Sequence, residues 1–127
     1  MAKTSNLLPL SSAKSLLFRS GNLFQRGLKL SHLRMIVAME ETGQISLAAD
    51  MLKTSQPAAS RLLSEMENIL EARLCVRSAR GIEMTNAGRA LARRARSMLI
   101  EIREAEREIE DIKHGGGTVF IGAVTAA

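Results

Sequence analysis

Seven consecutive residues, Ser55-Gln56-Pro57-Ala58-Ala59-Ser60-Arg61, hold the most concentrated recognition chemistry in the chain. A Gln amide pairs with both functional groups on one adenine edge, an Arg guanidinium forks onto guanine, and a Ser hydroxyl serves base or phosphate. On a helix, Gln56 and Ser60 are four apart and stack on one face, with Arg61 beside them. Ala58 and Ala59 are small enough to let a partner's backbone approach. Ser55 is placed to cap such a helix, Pro57 is tolerated in its first turn, and the free N–H groups there favour phosphate. The bland alternative is a polar, solvated first turn on an ordinary helical bundle.

Two further arginines, Arg77 and Arg80, flank Ser78-Ala79 at the tip of a predicted hairpin. Guanidiniums projecting from such a tip suit adjacent phosphates, although a solvated turn would look the same. Arg73 has Glu67 or Glu71 within reach and is left out of this set. A third pattern lies downstream. Leu91, Ala95, Met98, Ile102, Ala105, Ile109 and Ile112 recur at alternating intervals of four and three. Two apolar positions per heptad make a seam too narrow for a globular core and right for a helical partner. Arg89, Arg93, Arg94 and Arg96 precede Glu101, Glu104, Glu106, Glu108, Glu110 and Asp111, relieved only by Arg103 and Arg107. Antiparallel pairing of two copies sets basic ends against acidic ends, so the seam predicts an antiparallel homodimer.

Catalytic constellations are missing from the sequence. His32 and His114 lack evident acid or nucleophile partners, and Ser55 and Ser60 have no nearby base. Cys75 sits in an apolar stretch, where a buried inert thiol is the default. No Cys/His cluster offers a metal site. Gly115-Gly116-Gly117 follows a helix and precedes a strand-like run, the reverse of a phosphate-binding loop, and reads as a hinge. The chain is therefore expected to be no enzyme and to need no metal and no cofactor.

The elements that must position these residues follow from composition and period. The 127 residues are 46% apolar, 24% charged and 2% aromatic, with one Cys. That is globular composition of about one domain, without a disulfide framework and with few aromatic platforms for single-strand stacking. No apolar run approaches the ~20 residues of a membrane span. The net charge of +5 is uneven. Residues 1–27 hold four bases and no acid, 28–86 balance seven against seven, and 87–127 hold seven bases and six acids. Residues 1–27 read as a flexible extension; their basic, Ser-rich composition is also that of a transit peptide. From Leu28 a helix is expected, capped by Ser31 and stopped by Gly43. Ser46 is expected to cap a short helix, Leu47–Leu52, and Ser55 a third, with Leu63, Met66 and Leu70 as its apolar stripe. Leu74–Val76 and Ile82–Met84 predict the hairpin. Thr85 caps a helix from Asn86 to His114, ~43 Å long. Thr118–Val124 has a strand's composition and no sheet to join.

With Ala48-Ala49, Ser55–Arg61, Met66-Glu67, Leu70, Leu74, Arg77, Arg80 and Met84-Thr85-Asn86-Ala87-Gly88 in this order, the chain from Leu28 to about Val124 resembles the N-terminal portion of a LysR-type bacterial transcriptional regulator. The resemblance implies a mainly α fold, a winged helix-turn-helix with a long C-terminal dimerisation helix. It implies a division into extension (1–27), DNA-binding domain (28–85), linker helix (86–114), and hinge plus the start of a truncated effector-binding domain (115–127). By position, Ser55, Gln56, Pro57, Ser60 and Arg61 match the family's reading turn, and Arg77 and Arg80 its wing. The expected partners are double-stranded DNA and a second copy, with higher assembly in a full-length protein. A small-molecule effector is expected only for the missing domain, and the expected location is cytoplasmic, with no membrane. A non-specific DNA binder and a dimerisation or adaptor fragment are the alternatives. Two residues depart from the family: Glu71 stands where Gly is usual, which speaks against a left-handed helix end there, and Cys75 stands where Phe is usual, leaving less apolar volume under the wing.

Overall fold

The computed structural model describes residues 22–115. Five helices and one hairpin follow in the order α1 (Asn22–Gln25), α2 (Leu30–Thr42), α3 (Ile45–Met51), α4 (Gln56–Leu70), β1 (Cys75–Ser78), β2 (Gly81–Met84) and α5 (Asn86–His114). This is the mainly α, winged helix-turn-helix arrangement with a long terminal helix. The predicted strand at Thr118–Val124 and residues 1–21 lie outside the described residues.

Structure begins earlier than composition indicated. Residues 22–27, assigned to the extension, form α1 and a turn. The Leu23 carbonyl accepts from Arg26 and Leu28, at 3.1 and 2.9 Å, and Leu23 packs on the core. Arg26 pairs with Glu71 at 2.8 Å, 45 residues away in sequence. Neither partner is visible in the local composition that suggested a flexible segment.

Two expected caps are displaced. Lys29, not Ser31, is the N-cap of α2, and its N–H donates to Nδ1 of His32 at 2.9 Å. That nitrogen accepts, so Nε2 carries the proton and donates to Glu65 on α4 at 2.8 Å. His32, read from sequence as lacking an acid partner, is thus a buried link between two helices. Gln44, not Ser46, precedes α3. Ile45 is buried and begins the helix, and the Gln44 N–H donates to Thr42 Oγ1 at 3.3 Å. Gly43 ends α2 as expected, left-handed at φ +71.

The core lies where α2 packs against α3, α4 and α5. Met35, Ile36, Met39, Met66 and Leu74 are its largest fully buried side chains apart from His32. Truncating one of them, Met66→Ala for instance, removes packing worth about 2–5 kcal/mol. Ala48, Ala49 and Ala59 are also buried, and their small size lets α3 and α4 approach closely. Every buried side-chain nitrogen and oxygen among the described residues has a hydrogen-bond partner.

Thr85 caps α5. Its Oγ1 accepts from Gly88 N–H at 3.0 Å and donates to the Arg73 carbonyl at 2.6 Å, and its own N–H reaches Leu74 O at 3.0 Å. Gly88 is where α5 crosses β1's entry: a Cβ there would lie 2.1 Å from Leu74 O. The seam of α5 needs correction at its start. Ala95 is fully buried and Leu91 is packed against the chain's own core, so these two face α2 and the core rather than a second copy. From Glu101 to His114 every residue of the helix is exposed. The basic cluster is also partly engaged internally, with Arg96 bonded to Glu40 and Glu41, and Arg89 to Met84 O and Asn86.

Candidate nucleic-acid interface

The N-terminal turn of α4 is built by Ser55. Its Oγ accepts from the Ala58 N–H at 3.1 Å, which leaves the hydroxyl hydrogen free to donate outward. Pro57 occupies the first turn, and no acid stands there to oppose an anion. Ala59 faces the core, and this rotates Gln56, Pro57 and Arg61 to the exposed side with Ser60 half-buried at the edge.

The wing is tied to the helix-turn-helix at three points. Glu67 on α4 accepts from Leu74 and Cys75 N–H, at 2.8 and 3.4 Å, and lies 3.6 Å from Arg73. The hairpin pairs Cys75 with Met84, Val76 with Glu83, Arg77 with Ile82 and Ser78 with Gly81, closed by Ala79-Arg80. Its second strand docks on the turn between α2 and α3, where Ile82 N–H donates to Gly43 O at 2.9 Å. Gly81 allows this approach: its φ is +130, and a Cβ would stand 2.4 Å from Gly43 O. Finally, Arg77 Nη2 donates to Ser60 Oγ at 3.4 Å.

Gln56 and Arg77 therefore line one groove of about 220 Å³, together with Gln44, Ser46 and Ser78. Ser60 joins it through Arg77. Arg61 is exposed on α4, one turn before Glu65, and Arg80 is exposed at the hairpin tip with its backbone N–H on Ser78 Oγ. Arg61 and Arg80 do not line the groove, and neither does Pro57. Gln44 and Ser46 were not singled out as surface groups, since Ser46 was read only as a cap. Their signal is a polar residue on each side of Ile45, directly after the Gly43 stop.

Two departures are resolved. Glu71 adopts the left-handed conformation after all, at φ +54 and ψ +46, with its N–H on Glu67 O and its carboxylate held by Arg26. Cys75 is buried with Sγ 3.5 Å from Met84 Sδ, and burial pushes its thiol up to about 11. One turn beyond Arg61 on α4, the His32 hydrogen bond holds the Glu65 carboxyl below its ordinary value, against the opposing effect of burial. Among the described residues no group of three His, Cys, Asp or Glu is placed to hold a metal, and no helix is long and apolar enough to cross a membrane.

Comparison with known proteins bears on this geometry. The family described as "Bacterial regulatory helix-turn-helix protein, lysR family" matches residues 30–89. The HTH-type transcriptional regulator GbpR of Rhizobium radiobacter is 57% identical over 100 residues, covering 76% of this chain and 33% of that protein. The chain thus spans about a third of that regulator's length. Among solved structures, the CbnR_DBD-DNA complex is similar at 34% identity and a TM-score of 0.59, covering 65% of this chain and 97% of that one. The BenM_DBD/catB site 1 DNA complex is similar at 29% identity and a TM-score of 0.65, covering 68% and 98%.

Proposed function

Because the chain belongs to the lysR family of bacterial regulatory helix-turn-helix proteins, we propose that it is the DNA-binding part of a sequence-specific transcription regulator that works as a homodimer in the bacterial cytoplasm. α4 enters the major groove with its N-terminal turn foremost, Gln56 and Arg61 contacting base edges and Ser60 base or backbone. The wing carries Arg77 and Arg80 to flanking phosphates, where they fix register without reading sequence. Ser55 and Pro57 shape the turn and present its N–H groups to phosphate.

The observation that carries this reading is the groove shared by Gln56 on α4 and Arg77 on β1. A reading element and a backbone-gripping element are fixed relative to each other by hydrogen bonds, so both engage one duplex in a defined register. The uncovered stretch of α5, Met98, Ile102, Ala105, Ile109 and Ile112, pairs two copies, and two reading helices then address two half-sites. The protein does no chemistry on the DNA, and a small-molecule effector binds a further domain of the full-length regulator.

Selection of bound duplexes from a random pool tests this reading. Enrichment of an interrupted two-fold symmetric site supports it. A pool retained with a steep salt dependence but no enrichment favours backbone-only binding. Dimers without DNA affinity at low salt favour an adaptor fragment.

A further inference from the structure

Beside the uncovered seam of α5 lies an apolar groove of about 440 Å³. Phe24 and Leu30 form one wall, Met98 and Ile102 the other, with Leu33 also lining it. Phe24 is 62% exposed although Leu23 beside it packs on the core and Arg26, just after α1, pairs with Glu71. The anchoring sets the ring at the lip of the groove and does not bury it. Met98 and Ile102 are 40% and 59% exposed, and farther along the same helix Ile109 and Ile112 are 56% and 41% exposed. Exposed apolar surface this contiguous marks an interaction site.

The helix carries both halves of a self-complementary contact. Ala105 stands seven residues after Met98 and seven before Ile112, and between Ile102 and Ile109. A two-fold axis at Ala105, where the small side chain lets two helices cross closely, sets Met98 against the partner's Ile112 and Ile102 against the partner's Ile109. We propose that the groove under Phe24 receives Ile109 and Ile112 of a second copy, so that α1, a segment ahead of the family match at residue 30, clamps the partner's α5. The proposal rests on the dimer reading above and extends it to a segment outside the helix-turn-helix.

The same chain cannot supply this occupant. Ile112 lies ten residues beyond Ile102, about 15 Å farther along a straight helix. A short bis-maleimide link between Cys at positions 24 and 112, in the Phe24→Cys plus Ile112→Cys double variant of the 127-residue chain, is therefore expected between chains, giving a covalent dimer on a denaturing gel. Sedimentation equilibrium supplies the second readout. Phe24→Ala is expected to raise the dimer dissociation constant by about tenfold or more, since the contact occurs twice per dimer. Met51→Ala, which removes a comparably exposed side chain elsewhere, is expected to leave it unchanged. A dimer whose dissociation constant ignores Phe24→Ala, with no inter-chain cross-link, overturns the clamp and leaves the dimer standing. A chain that sediments as a monomer at every concentration overturns the dimer and the clamp with it.

Discussion

Arg77 on the wing and Ser60 on α4 are joined by a hydrogen bond of 3.4 Å from guanidinium Nη2 to hydroxyl Oγ. The hydroxyl accepts from Arg77, so its own hydrogen stays available to donate elsewhere. The wing arginine is thereby tied to α4. Ser60→Ala and Arg77→Ala are expected to weaken duplex binding non-additively, with a coupling of about 0.5–1.5 kcal/mol in a double-mutant cycle. Strict additivity in equilibrium titrations would separate the wing from the helix.

Gly81 and Gly88 are sites where a methyl group has no room. Gly81→Ala places Cβ against Gly43 O in a backbone conformation with φ +130, and Gly88→Ala places it 2.1 Å from Leu74 O. Each is expected to destabilise the fold by about 2 kcal/mol or more, measured by urea unfolding. Gly81→Ala also breaks the Ile82–Gly43 tether, so residual folded protein should lose DNA affinity as well. Unfolding midpoints equal to that of the parent chain would contradict the close approaches.

Glu65 gives a pH dependence with a definite sign. The His32 hydrogen bond holds its carboxyl below the ordinary value of 4.5. The folded state then binds its proton less readily than the unfolded state, so this contribution to stability is complete above that ordinary value. It is lost as pH falls through the lower, folded one. Stability measured from about pH 6 to pH 3 should decline, and Glu65→Gln, which still accepts from His32, should make the decline shallower. An unchanged slope in the variant would remove Glu65 from the account.

Burial of Cys75 pushes its thiol up to about 11, so at neutral pH almost none is thiolate. Labelling by an aromatic disulfide reagent should be slow in the folded chain and accelerate with denaturant in step with unfolding. Prompt stoichiometric labelling of the folded chain would show that the strand around Cys75 opens freely.

Caps whose partners lie in the next turn were legible in the sequence. Ser55 and Thr85 bond to N–H groups three residues on, and α4 and α5 begin where those residues predict. Ser31 and Ser46 failed as caps because neighbours competed: the His32 ring captured the Lys29 N–H, and Ile45 was drawn into the core. The α5 seam showed that an apolar face exists and not what covers it, so Leu91 and Ala95 were assigned to a second copy although the core takes them. Glu71 and His32 depended on Arg26 and Glu65, 45 and 33 residues away, which no local pattern contains. At the candidate interface, Gln56 and Arg61 stand out by residue type, whereas Gln44 and the Ser60–Arg77 bond join them only through docking of the hairpin on the turn between α2 and α3 and on α4.

The central claim is that the first turn of α4 reads bases while the wing grips the backbone. The most direct test repeats duplex selection with Gln56→Ala, Arg61→Ala, Arg77→Ala and Arg80→Ala beside the parent chain. The account predicts that the two α4 variants lose about 1–3 kcal/mol and relax base preference at symmetric positions. It predicts that the two wing variants recover the parent site with uniformly weaker affinity and a shallower salt dependence. Base preferences that change with the wing arginines and persist without Gln56 and Arg61 would contradict it.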